Sequence, residues 1–397
     1  MRTFVAVVGF VALLIAGVLY YVNSANSIES IVQEPTEESV EEQQQTPTEK
    51  NMAPDEEMFQ NPGVMPGVEK EMKNLKTQSR IKDSNKEETE VLGTLESKST
   101  ARNQVWVGTF QLVWNDFMNQ LIKGPVQFVG TQPVLADELN KQSFSAENLS
   151  ESAYYKKWGL ASLNLKKEIE QGIATKFNET SDILDQFDWT PLPGKYFFYA
   201  MLKKDFEFVE PFIKTGPQPF RGSDTDVEYF EAESYAQKRS VWVLFYKNSN
   251  NFAVRLESTQ NDHVYLYRTD NPGTLASLYQ DMKQEILAYK GKNTLEEEDH
   301  FKAPLLNLDV TREFTEIMGK PISPNWIIAK ALETIKFKMD EKGVKLKSEA
   351  GIMTLRMAKV GALPRYFNFD ARYVVFLADK GKKPYFALLV EDAAALQ

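Results

Sequence analysis

Apolar and polar residues alternate in the C-terminal third of the chain with the period of extended backbone. Ile335, Phe337 and Met339 take turns with Lys336, Lys338 and Asp340, which predicts a strand with one buried face. Asp340-Glu341-Lys342-Gly343 follows, and its polar residues and glycine are suited to a chain leaving a sheet edge. A long stretch then runs to Pro364-Arg365. Two dense apolar segments close the chain, Arg372 to Leu377 and Pro384 to Val390, around Asp379-Lys380-Gly381-Lys382; this is the pattern of a hairpin.

Upstream, the period is mostly helical. Trp106, Phe110, Val113, Trp114, Phe117, Met118 and Leu121 recur at three- and four-residue intervals, so the spacing predicts an amphipathic helix with an aromatic buried face. Leu163 to Phe177 repeats that pattern. At Tyr196 the period changes, and Tyr196 to Leu202 is a continuous apolar run, as expected of a strand covered on both faces. Val241 to Tyr246 and Phe252 to Leu256 flank the polar turn at 247–251, a second hairpin. Leu275 to Leu287 reads as a helix. The fold class that follows is mixed α+β, with a large, mainly antiparallel sheet and helices segregated toward the N-terminal half.

Composition adds the outer parts of the chain. Phe4 to Val22 is an unbroken run of apolar residues and glycine, long enough as a helix to cross one hydrocarbon core of about 30 Å. Arg2 precedes it and Glu29, Glu34, Glu37 and Glu38 follow, a charge bias that places the N-terminus in the cytoplasm and the remainder outside. Residues 1–25 are therefore expected to be a retained signal-anchor in the cell membrane; the alternative is a secretory signal cleaved after Val22-Asn23-Ser24. Residues 26–100 hold 17 acidic and 8 basic side chains with few apolar ones, the composition of a disordered acidic linker. The domain is expected to occupy 101–397.

Net charge is −10, and most of it lies in that linker. The domain is nearly neutral, without the basic footprint that phosphate-backbone binding needs, so nucleic acid is not an expected partner. There are no cysteines, which excludes a disulfide framework, a thiolate metal site and a cysteine nucleophile. His263 and His300 are the only histidines, and each reads as solvated or structural. Glu296-Glu297-Glu298-Asp299 reads as a solvated acidic run. No phosphate-cradling glycine-rich loop or dinucleotide fingerprint is present. No enzyme activity, catalytic residue, metal or cofactor is expected.

The order of strand, Glu-Lys-Gly hinge, long loop and terminal hairpin resembles the C-terminal third of the serpins. Asp340-Glu341-Lys342-Gly343 resembles the hinge of that family, Phe367 to Leu377 the strand after its reactive loop, and Tyr385 to Val390 its last strand. The spacing from Gly343 to Phe367 is 24 residues, close to the family's loop length. The likeness extends over Tyr196 to Val390 and weakly over Val105 to Phe187. There are departures. Asp205 stands where the family has a glycine, the interval from Thr311 to Ala329 is too short for its usual helices, and the 297 residues of 101–397 imply that peripheral elements are missing.

The resemblance implies a reactive-type loop. In inhibitory serpins the loop is cut and inserts as a new central strand. From the hinge at Glu341 and Gly343, the alternate residues Val344, Leu346, Ser348, Ala350, Ile352 and Thr354 form an uncharged face, while Lys345, Lys347 and Glu349 point the other way, so one register suits a closed sheet. Against rapid insertion, Leu346 is bulky, and Lys347 and Glu349 are charged where family inhibitors carry small residues. Counting from Gly343 puts the scissile region at Arg356, Met357 and Ala358. The expectation is a membrane-tethered, extracytoplasmic, serpin-like protein that binds a protease or other extracellular protein, with or without inhibition by loop insertion.

Overall fold

The computed structural model describes residues 89–344 and 363–397. Strand β1 (Thr89–Val91) pairs in parallel with β2 (Asn103–Val107). Both lie at or before the boundary expected near 101–105, and β1 falls within the segment read as linker: Val91 and Leu92 are buried there, a short apolar anchor diluted by its acidic neighbours. The aromatic-rich stretch then splits. Trp106 belongs to β2, and helix α1 (Thr109–Asp116) starts only after Gly108, running on into a π-helical turn at Phe117–Ile122. Tertiary pairing overrides the helical spacing here, because β2 is hydrogen-bonded to the last strand, with Trp106 opposite Ala387.

Helix α2 (Val134–Asn140) and strand β3 (Tyr154–Leu160) lead to helix α3 (Leu163–Phe177) and strand β4 (Tyr196–Leu202). Helix α3 starts where the Ser162 hydroxyl accepts the Leu165 N–H and stops where Asn178 turns left-handed at φ 53°, both ordinary helix boundaries. Its Leu165, Ile169 and Ile173 pack with Phe197 and Tyr199 of β4. Contrary to the expectation of a strand covered on both faces, β4 has only Phe197 and Tyr199 fully buried.

Strands β5 (Phe206–Glu207), β6 (Ile213–Gln218) and β7 (Val227–Glu231) are followed by the short helix α4 (Tyr235–Arg239). Then come β8 (Val241–Asn248), β9 (Asn251–Glu257), β10 (Asp262–Arg268) and helix α5 (Leu275–Ala288). The remainder comprises β11 (His300–Pro304), β12 (Leu306–Glu313), β13 (Pro321–Ile322), β14 (Trp326–Ile327) and β15 (Leu332–Met339), then β16 (Gly343–Val344), β17 (Tyr366–Asn368), β18 (Tyr373–Asp379) and β19 (Pro384–Val390). Between Thr311 and Ala329 there is only a 3-10 turn and the β13–β14 pair, in keeping with the short interval.

A seven-stranded sheet, in the order β1-β2-β19-β18-β10-β9-β8, is antiparallel except for β1–β2. Every residue of β18 and β19 is buried, which is why the terminal hairpin reads as dense apolar runs; each of Leu388 and Leu389 contributes about 1.5–3 kcal/mol by leaving water. A four-stranded sheet follows the order β17-β11-β7-β6. Two antiparallel strand pairs, β3–β4 and β12–β15, belong to neither of these sheets. The fold is mixed α+β with a large, mainly antiparallel sheet.

Candidate functional site: the hinge and two unpaired strand edges

Among the described strands, β4 is hydrogen-bonded only to β3, and β15 only to β12. Among the described residues each therefore leaves one backbone edge unpaired. The two strand pairs are tied together where β5, just beyond β4, pairs with β16, just beyond β15.

The hinge is built from local turn chemistry. The Asp340 carboxylate accepts the Lys342 N–H at 3.0 Å and carries the Lys338 ammonium at 3.0 Å. Asp340 and Gly343 exchange backbone bonds in both directions, at 3.1 and 3.3 Å. The chain thus reverses within two residues, and β16 runs antiparallel to β5 and to the end of β15. The carbonyls of Glu341 and Lys342 accept the N–H groups of Phe212 and Phe208, at 2.8 and 3.0 Å. Gly343 is obligatory at this place: its φ is +130°, and a Cβ would lie 2.6 Å from the Glu207 Cα and 2.7 Å from the Phe206 carbonyl oxygen. Beneath the hinge, the Phe208 and Phe212 rings meet at 5.2 Å and continue into Phe230 and Phe301.

Helix α1 braces both strand pairs. Its end packs Phe117 against Phe198 of β4, ring centroids 5.7 Å apart. Its start meets β15, where the Glu333 carboxylate accepts the Thr109 hydroxyl at 2.5 Å and the Phe110 N–H at 3.1 Å. A strand residue therefore caps a helix distant in sequence. The other carboxylate oxygen of Glu333 is buried without a partner. Burial pushes its pKa up to about 7, against the bonds from Thr109 and Phe110 and the charge of Arg312.

Glu341 and Gly343 lie in the Asp340–Gly343 turn, and the backbone of Val344 pairs with Phe206. Leu346, Ser348, Arg356, Met357 and Ala358 lie outside the described residues, as do Phe4 to Val22 and most of the linker. Among the described residues, no helix is long and apolar enough to cross a membrane.

After the hinge, the described residues resume at Leu363, and Arg365 is firmly held. Its guanidinium and N–H bind the Asp299 carboxylate at 2.7–3.1 Å, and it also donates to the Thr294 carbonyl at 2.8 Å. Asp299 is therefore buried and not part of a solvated run. Its pKa is lowered, because the Arg365 and backbone bonds outweigh the opposing effect of burial. His300 stacks on Tyr366, and His263 bonds the Tyr265 hydroxyl at 3.0 Å; they lie on different strands and form no common centre.

Sequence reasoning missed Glu333 and the Lys204 cluster. The Lys204 ammonium reaches Asp379 at 2.6 Å and Asp262 at 2.8 Å, and Tyr385 donates to Asp262 at 2.9 Å. Each of these residues belongs to a strand end or turn far from the others in sequence, so no local spacing could have joined them.

No protein-family model matches the chain, and no curated protein sequence does. Solved structures similar to it include Serpin48 of the insect Tenebrio molitor (13% identity, 72% of this chain and 74% of that one, TM-score 0.39). Human thyroxine-binding globulin complexed with thyroxine aligns at 10% identity, over 70% of this chain and 94% of that one, with a TM-score of 0.39. A serpin from the trematode Schistosoma haematobium aligns at 14% identity, over 57% of this chain and 62% of that one, with a TM-score of 0.37.

Proposed function

We propose that this chain is a serpin-like protein that presents the segment between β16 and β17 to a protein partner, as a non-catalytic, non-inhibitory binding module. In this reading it is held at the outer face of the cell membrane by residues 1–25 and spaced from it by the acidic segment after them. The observation that carries the proposal is the hinge. Residues 341–344 are pinned by backbone bonds at the junction of two antiparallel strand pairs, and Arg365, at the other end of the presented segment, is anchored on Asp299.

The direction of β16 favours a second reading, inhibition by loop insertion. Gly343 and Val344 already run antiparallel to the end of β15, as the first residues of a strand added along that edge would. Leu346, Lys347 and Glu349 oppose fast entry, since a bulky or charged side chain must find its place in a packed layer before the cut loop can settle.

Limited trypsin digestion of the intact chain, followed by a thermal melt and a denaturing gel, tests both. A binding module is cut near Arg356, gains little in Tm and leaves the protease active. An inhibitor melts far higher after cutting and holds the protease in a complex that survives denaturation. A chain that is not cut between Val344 and Leu363 at all overturns both readings, because neither site then presents a loop.

A further inference from the structure

The cleft between the β6–β7 connection, the β8–β9 turn and β17 lies away from the hinge and has no part in the reading above. It is an open cleft of about 450 Å³, a volume within the range of small-molecule sites. We propose that it binds a small organic anion, with Arg268 holding the charged group.

Arg268 ends β10 and lines the cleft, yet only 1% of it is exposed. A guanidinium has five donors, and a buried one is ordinarily paired with a carboxylate or several carbonyls. Here the Nε has no partner, and the one bond made by the side chain among the described residues is from Nη1 to the Arg372 carbonyl, at 3.3 Å. The Nε is sealed from solvent, so the second Nη1 hydrogen and the two on Nη2 are the donors left to a ligand or to water. The β10 register explains why the side chain stays in place: Arg268 is opposite Phe252 on one neighbour and Tyr373 on the other, so backbone pairing on both sides fixes its Cα whatever the guanidinium meets.

The surroundings suit an anion with a flat apolar body. Arg221 lines the cleft and is exposed, with no ion pair among the described residues; its backbone is held by the Asp370 carbonyl at 2.8 Å. Asp370 is the one acid of the lining; among the described residues it makes an ion pair with neither arginine, though its charge and that of Asp270 offset part of the positive charge at Arg268. The half-exposed Tyr366 supplies ring surface and Asn368 an amide, with the buried Phe220 behind them. Phe220 is fixed by Tyr373 at 6.4 Å between centroids, and Tyr366 by its stack on His300 at 5.0 Å. The walls are therefore preformed.

The test is fluorescence titration of the full chain with anilinonaphthalene sulfonate and, in parallel, with its uncharged parent, phenylnaphthylamine. A single saturable site is expected, with the sulfonate bound about tenfold or more tighter than the neutral dye, as for a charge-assisted contact. The exposed-site variant Arg221→Glu should weaken the sulfonate about tenfold and leave the neutral dye and the Tm unchanged. Arg268→Gln should abolish the sulfonate preference; if that variant fails to fold, Arg221→Glu alone decides. Equal binding of the two dyes, or sulfonate binding indifferent to Arg221→Glu, overturns the proposal.

Discussion

The Thr109 hydroxyl lies 2.5 Å from the Glu333 carboxylate, linking the first turn of α1 to the strand that leads into the hinge across 224 residues of sequence. With its second oxygen unpartnered and its pKa near 7, Glu333 makes the stability of the domain depend on pH in an uncommon direction. The folded state holds this proton more tightly than the unfolded chain, whose ordinary value is 4.5. Stability from this group is therefore intact below about pH 4.5 and falls as pH rises toward 7, by about 3 kcal/mol in all. Denaturant unfolding of wild type and Glu333→Gln at about pH 5 and about pH 8 should show the wild type losing more stability than the variant. Parallel losses would remove Glu333 as the cause.

Asp299 works in the opposite sense. Its pKa is depressed through Arg365, so its contribution is present above the unfolded carboxylate value and disappears as pH falls through the folded one. Asp299→Ala leaves the Arg365 guanidinium without its carboxylate, and a loss of about 3–5 kcal/mol is expected when one member of a buried pair is removed. Faster proteolytic nicking around Leu363–Tyr366 than in wild type is the accompanying sign. Unchanged nicking would mean that Asp299 does not anchor the returning chain.

Gly343→Ala should break the junction of the two strand pairs. The new methyl would meet the backbone of Phe206 and Glu207, which cannot yield as a flexible side chain does, and the positive φ adds about 1–3 kcal/mol of strain. Hydrogen exchange gives the readout. The N–H groups of Phe208 and Phe212, bonded to Lys342 and Glu341, should lose protection while the buried β18–β19 hairpin keeps it.

Lys204→Met removes the cation shared by Asp262 and Asp379, whose side chains are nearly inaccessible. A loss of about 3–5 kcal/mol is expected in chemical denaturation. Adding Asp379→Asn should restore part of that loss, since it removes one of the two charges left facing each other. A strictly additive double variant would show that the cluster is not coupled.

Several elements were determined by local sequence. Helix α3 was legible residue for residue, because its stripe of Leu165, Ile169 and Ile173 and its Ser162 cap act within a few residues. The terminal hairpin and the Asp340–Gly343 turn were legible for the same reason: side-chain alternation and turn chemistry are short-range. The tertiary structure alone decided the rest. It made Trp106 a strand residue, since the pairing with β19 outweighs a helical period. It also buried Asp299, which an acidic run concealed, and brought Glu333 to Thr109, Lys204 to Asp262 and Asp379, and Arg268 to the cleft. Those contacts depend on strand order and register between segments up to two hundred residues apart, and the physical reason they escape a reading of the chain is that a buried charge is defined by what surrounds it, which no neighbouring residue in sequence supplies.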